Sequence, residues 1–101
     1  MLFGGFNLPA QAQAAYFTGQ ITMLEAWRTG NVAFMLSAPG VPCNGQFVLN
    51  KSDDGTKNLY AMLLTARATG REIKVYFTNC GPAEGASTSN YAQVNYLYLL
   101  D

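Results

Sequence analysis

The sequence predicts a small, mostly β domain: a closed barrel of five strands, with one α-helix between the third and fourth strands. Three observations support this prediction. The stretch 57–80 changes from a helical apolar period to a strand-like one. Three apolar stretches precede it and one follows it, each bounded by turn residues. The chain has 101 residues, half of them hydrophobic, which is enough for one core and no second domain.

The helix and the strand after it are the clearest elements. Apolar residues recur with helical spacing at Leu59, Met62, Leu63 and Ala66. Gly70 follows them at a position typical of a helix end. Beyond it, apolar and polar residues alternate, with Ile73, Val75 and Phe77 on the apolar side. This alternation predicts a half-buried strand with one face in water.

The helix carries more apolar surface than one packing face needs. Tyr60, Leu64 and Ala68 widen its stripe beyond the roughly 100° that a surface helix buries. We therefore predict a homo-oligomer in which other copies cover the remainder. The candidate interface residues are Leu59, Tyr60, Leu63, Leu64 and Arg67. The alternative is a helix buried entirely by its own domain.

The remaining apolar stretches predict four further strands, at 16–27, 32–36, 46–50 and 91–100. The buried side of the first one changes partway, which predicts a β-bulge. Polar turns separate the elements, at 28–31, 37–45, 52–56 and 79–90. Asp53 and Asp54 are candidates to cap the helix. The order β-β-β-α-β-β is that of the five-stranded Greek-key barrel called the OB-fold, here one domain over 15–101.

Residues 1–14 differ in composition from the rest. Ala10, Ala12 and Ala14 follow an apolar run, as at the cleavage end of a secretory signal peptide, although a basic segment is missing. We interpret 1–14 as a signal-peptide remnant or as an N-terminal extension that packs on the domain. No run of 18 apolar residues exists, so no membrane span is predicted.

Composition argues against several functions. The chain has no histidine, and its six basic and six acidic residues are scattered. A nucleic-acid surface needs clustered basic residues, and a zinc site or a catalytic triad needs histidine or more cysteine. Nothing in the sequence fixes any two of Glu25, Glu72 and Glu84 near each other, as an acid–base pair would require. We therefore expect no enzyme activity, metal, cofactor or nucleic-acid partner.

The two cysteines, Cys43 and Cys80, predict one disulfide. An even count in a small domain carrying an export signal favours a bridge. Two free buried thiols are the alternative. The possible export signal at 1–14 predicts a secreted or periplasmic location.

Two segments of the chain resemble the B subunits of bacterial AB5 toxins, most closely the Shiga toxin B subunit. They are LLTARATGREIKV, 63–75, and TNC, 78–80, with a weaker match in FTGQI, 17–21. Cys43, within CNGQFVLNKS, is similar to a cysteine of the subtilase-cytotoxin and typhoid-toxin B subunits. The Shiga subunit pairs its other cysteine with one near the N-terminus, where this chain has none.

The resemblance implies a secreted pentameric ring that binds cell-surface glycans and delivers a catalytic A subunit, with the helices lining a central pore. Of the Shiga subunit's sugar-contacting residues, only Asn79 has a matched position here. The tandem acidic turn of that subunit is replaced by 28–31. A protein of another class is the alternative: a secreted or periplasmic OB-fold oligomer that binds a protein partner and no sugar.

Two groups of residues are candidates for glycan binding. Trp27 is the only tryptophan, and its ring would stack on a sugar while the adjoining turn supplies Arg28, Thr29 and Asn31. The second group lies in or beside the loop after the fourth strand, at Asn79, Glu84, Ser87, Thr88, Ser89, Asn90 and Tyr91. The alternatives are a tryptophan that only packs and a loop that is only solvated. We interpret Tyr60, Tyr76, Tyr96 and Tyr98 as core or subunit-contact residues.

Overall fold

The computed structural model describes residues 15–85 and 90–101. Five strands and one helix lie within these ranges. They are β1 (Ala15–Ala26), β2 (Val32–Leu36), β3 (Phe47–Leu49), α1 (Thr56–Thr69), β4 (Glu72–Gly81) and β5 (Tyr91–Leu99). A 3₁₀ turn at Cys43–Gly45 precedes β3.

The five strands close into a barrel in the order β1-β2-β3-β5-β4, and β4 pairs back onto β1. All neighbouring pairs are antiparallel except β3 and β5, which run parallel. The predicted five-stranded barrel with one helix between the third and fourth strands is confirmed. Closure leaves the sheet without a free edge along its length.

The core fills the barrel with aromatic and branched side chains. Phe34 and Phe47 are fully buried and stack with their ring centroids 5.0 Å apart. Removing one such side chain from water contributes roughly 1.5 to 3 kcal/mol to folding. The inward residues of β4 are Ile73, Val75 and Phe77, as the period-two alternation predicts.

Helix α1 packs against β1 and β5 and joins this core through Leu63 and Ala66. It ends at Gly70, which has a φ of 70° and whose N–H donates to the carbonyl oxygen of Ala66. A side chain is strained in this left-handed conformation, so glycine ends the helix cleanly.

Strand β1 bends at the predicted bulge, where its pairing with β2 changes register between Ile21 and Met23. Just before the bend, Gly19 faces the chain after β2. A Cβ at Gly19 would lie 2.8 Å from the Ser37 hydroxyl oxygen and 3.0 Å from the backbone nitrogen of Ala38. Glycine is therefore required by the close approach of two backbones.

Cys43 and Cys80 form the predicted disulfide, with their Cα atoms 5.7 Å apart. The bridge ties the turn before β3 to the far end of β4. Because these segments are 37 residues apart in sequence, the bridge closes a long loop. On the chain-entropy model such closure stabilises the folded state by about 3 to 4 kcal/mol.

Several local predictions are corrected by the structure. The loop predicted to begin at Asn79 begins later, because β4 continues through Gly81 and pairs with the start of β5. The helix cap is Gly55 and not an aspartate, with no side-chain hydrogen bond at that position. The barrel buries Leu63 and Ala66 of the helix, while Leu64 is its one exposed large apolar residue. None of the described helices is long and apolar enough to cross a bilayer.

Candidate functional site

The two predicted groups of site residues meet at one end of the barrel. Here the β1–β2 turn, the β3–α1 loop and the β4–β5 loop come together, and we call this region the loop end. The side-chain amide of Asn31 donates to the carbonyl oxygen of Glu84 at 2.7 Å. The ring of Trp27 meets that of Tyr91 edge-on, with centroids 6.0 Å apart. Segments more than 50 residues apart are thus held side by side.

Asn31 joins the loops and is not open to a ligand. Its side chain is fully buried. Besides its bond to Glu84, it accepts a hydrogen bond from the backbone N–H of Lys51 at 2.8 Å. Both ends of the amide are used within the chain, so Asn31 positions the loops.

A chain of side-chain amides continues this network. The backbone N–H of Glu84 donates to the side-chain oxygen of Asn50 at 2.8 Å, and the amide of Asn50 donates to that of Gln93 at 2.7 Å. Gln93 in turn donates to the carbonyl oxygens of Gly81 and Pro82. The network of Asn31, Asn50, Glu84 and Gln93 fixes all three connections of the loop end.

A cleft of about 380 Å³ opens beside this network, between the start of α1 and strands β4 and β5. We call it the first cleft. Its lining combines three apolar residues with six polar ones: Leu49, Leu59, Val94, Asp53, Asp54, Thr56, Thr78, Gln93 and Asn95. No lysine or arginine is among these residues.

Some polar side chains of the first cleft are already hydrogen-bonded within the chain, and others are not. Thr56 donates its hydroxyl to the carbonyl oxygen of Asn50 at 2.7 Å, and Gln93 is held by the network. Asp53, Asp54 and Asn95 are exposed, and their side chains have no hydrogen bond within the described residues. Two carboxylates and one amide therefore stand free beside an apolar wall, which suits a ligand with hydroxyl groups and apolar patches.

A second cleft, of about 450 Å³, lies on the other side of Asp53, Asp54 and Thr56. Its remaining lining comes from the β1–β2 turn, the β3–α1 loop and the first turn of the helix: Gly30, Lys51, Gly55, Lys57 and Asn58. Both signs of charge face this space. Asp53 and Asp54 thus separate the first cleft, whose charged residues are all acidic, from the second cleft, which has both acidic and basic residues.

No protein-family model, curated protein or solved structure matches this chain.

Among the described residues, none of the predicted glycan residues lines either cleft. Trp27 is half-buried and Tyr91 is buried, while Arg28, Thr29, Asn79 and Asn90 are exposed. Asn79 accepts a hydrogen bond from the hydroxyl of Thr78, which does line the first cleft. Ser87, Thr88 and Ser89 lie outside the described residues.

The sequence interpretation missed the residues that line the first cleft. The sequence predicts Asp53 and Asp54 as helix caps, Thr78 as a polar residue at the end of the fourth strand, and Gln93 and Asn95 only as part of the last strand. The sequence does contain a usable signal, namely polar residues on the strands predicted to follow the helix. Closure of the barrel places these residues beside the start of the helix. Only the pairing of β4 with β5, which sets their register, brings them together.

The predicted interface residues occupy different environments. Leu63 is fully buried in the core, and Leu59 and Tyr60 are half-buried. Arg67 donates to the carbonyl oxygen of Ile21 at 3.1 Å, so one end of its guanidinium is used within the chain. Leu64 is 46% exposed and remains the residue of this set most available to another copy.

Proposed function

We propose that this chain is a secreted glycan-binding subunit of the AB5-toxin type, which assembles into a ring and delivers a catalytic chain. The observation that carries this proposal is the first cleft, with an apolar wall opposite free carboxylate and amide groups. In addition, the strand order and the helix between β3 and β4 agree with the OB-fold, a barrel that commonly binds oligosaccharides through its loops. The resemblance of 63–75 and 78–80 to AB5 B subunits supports the same assignment.

The chemistry of the first cleft favours a neutral saccharide. Asp53 and Asp54 accept hydrogen bonds from sugar hydroxyls, and the Asn95 amide both donates and accepts. Val94 and Leu59 offer apolar surface to the C–H groups of a sugar ring. An acidic sugar would bring its carboxylate against two aspartates with no cation in the lining, and like charges repel.

The ring forms in this proposal through the side of the helix that carries Leu64. A ring needs a head-to-tail contact between two different surfaces of each copy. An exposed leucine on a helix is a suitable centre for such a contact, with Leu59, Tyr60 and Arg67 at its margin. The disulfide agrees with export to an oxidising compartment.

A glycan array carrying neutral and acidic oligosaccharides tests the binding activity. We expect neutral glycans to bind, and we expect Asp54→Ala and Asn95→Ala to weaken that binding at least tenfold, equivalent to about 1.4 kcal/mol each. Asn90→Ala is the matched control, because it removes an exposed amide outside the cleft lining. Loss of binding in the control with full binding in Asn95→Ala contradicts the assignment to the first cleft.

Light scattering tests the ring separately. We expect a solution mass of several chains, reduced to that of one chain by Leu64→Glu, because a buried unpaired carboxylate opposes association. Thr65→Glu places the same charge on the exposed neighbouring position and is the control. A wild-type mass of one chain contradicts the ring.

A further inference from the structure

Four tyrosines form a continuous surface on the outside of the barrel, away from the clefts. They lie on β1, β4 and β5, where the outward residues pair across the strands in two rows. One row is Tyr16, Tyr76 and Tyr96, and the next is Thr18, Lys74 and Tyr98. We call these six residues the tyrosine face. Glu72 lies one row further along β4, on the same side of the sheet.

The rings of the tyrosine face support one another. Tyr16 and Tyr76 have centroids 4.8 Å apart, and those of Tyr76 and Tyr96 are 5.2 Å apart. The hydroxyl groups of Tyr16 and Tyr96 hydrogen-bond to each other. The ammonium of Lys74 lies 4.7 Å from the ring centre of Tyr16, in cation–π contact. The surface is therefore ordered before any partner arrives.

Its shape favours a protein over a small ligand. Tyr16 and Tyr98 are 45% and 48% exposed, but neither cleft is lined by any tyrosine. Small molecules bind in concave sites, whereas protein interfaces are flat and enriched in tyrosine. Contiguous exposed aromatic surface is also uncommon on monomers. The tyrosine face therefore suits another protein surface better than a small ligand.

The charges on and beside the tyrosine face suit a second copy as the partner. Glu72 and Lys74 have opposite charge and lie one row apart, and neither is in an ion pair within the described residues. A two-fold axis beside them brings each lysine to the glutamate of the other copy, since a two-fold interface is self-complementary. The net charge of zero removes general repulsion between copies. We propose that the tyrosine face forms a two-fold contact between two copies of this chain.

The size of the face indicates a reversible contact. Three strands and the six residues over which β1 pairs with β4 give a footprint of roughly 300 Å² on each copy. Two such surfaces bury less than the roughly 1,600 Å² of a standard interface. The contact is thus expected to form as concentration rises. It uses a surface other than the helix and does not depend on the proposed ring.

Sedimentation over a concentration series from about 10 μM to about 1 mM tests the contact, a range typical of weak interfaces. We expect the mass to double across the series, whatever its value at the lowest concentration. Glu72→Lys and Lys74→Glu should each abolish the doubling, because like charges then meet across the axis. The double variant Glu72→Lys with Lys74→Glu should restore it, which loss of folding would not allow.

Two outcomes overturn the proposal. A wild-type mass that does not change with concentration shows that no such pair forms. Doubling that survives both single variants, or that the double variant fails to restore, places the contact elsewhere. Leu64→Glu separates this test from that of the ring, because it should lower the starting mass and leave the doubling intact.

Discussion

The side-chain amide of Asn31 donates to the carbonyl oxygen of Glu84 at 2.7 Å, which links the β1–β2 turn to the loop after β4. The same side chain accepts from the backbone N–H of Lys51, at the start of the third connection. One buried residue thus holds together all three segments that border the clefts. The order of the loop end, and so of the proposed binding site, depends on it.

Asn31→Ala is expected to destabilise the fold by about 1 to 3 kcal/mol, because it leaves the backbone N–H of Lys51 and the carbonyl oxygen of Glu84 without their partner. Urea unfolding measures the change. Thr29→Ala, in the same turn but exposed, should change stability by less than about 0.5 kcal/mol. Equal effects of the two variants would show that the network contributes no stability.

The disulfide should account for a large part of the stability. We expect reduction to lower the free energy of unfolding by about 3 to 4 kcal/mol, from the length of the closed loop. Guanidinium unfolding with and without a reductant measures this difference. The variant Cys43→Ser with Cys80→Ser should be equally unstable in both conditions. A reductant effect that persists in this variant would refute the attribution to the bridge.

Gly19→Ala should destabilise the fold by about 1 to 3 kcal/mol, since the new methyl group collides with the chain after β2. Gly81→Ala is a matched control within another strand. There the added Cβ would lie 3.7 Å from the nearest atom, the side-chain nitrogen of Gln93. Thermal unfolding of both variants checks the prediction, which fails if Gly19→Ala is as stable as Gly81→Ala.

Tyr96 should ionise at higher pH than an ordinary tyrosine. Its hydrogen bond with Tyr16, and then its partial burial, raise its pKa above the usual value of 10.0. The protonated form of Tyr96 is favoured in the folded state, so its hydrogen bond with Tyr16 stabilises the fold. This contribution is complete below about pH 10 and is lost as the pH rises through the folded-state pKa of Tyr96. Absorbance titration of phenolate should show a late step that Tyr16→Phe moves to lower pH.

Tyr60→Phe is the control for this titration, because Tyr60 lies on the helix and takes no part in the pair. It should leave the late step in place. A titration of the wild-type protein without the late step would contradict the hydrogen-bonded pair.

Sequence patterns predicted those helices and strands whose formation depends on residues close together in the chain. The alternation of Ile73, Val75 and Phe77 located β4, and Gly70 located the end of the helix, because both depend on neighbouring residues alone. The far end of β4 was missed. Cys80 and Gly81 belong to the strand through their pairing with β5 and not through their own propensity.

The site was predicted less well, because it too depends on contacts between residues far apart in the sequence. Asn31 is of a residue type that is usually exposed in turns, yet it is buried and hydrogen-bonds to Lys51 and Glu84. The free carboxylates of Asp53 and Asp54 border a cleft only because the closed barrel places Thr78 and Asn95 opposite them. Contacts over such sequence distances leave no periodic signal in the chain.

Chemical-shift mapping by NMR tests the central claim most directly, with the neutral oligosaccharide that binds most strongly on the array as the titrant. The account predicts that the largest shifts fall on 53–56, Thr78 and 93–95, around the first cleft. Shifts confined to Trp27 and 28–31, or an array on which no neutral glycan binds, would contradict it.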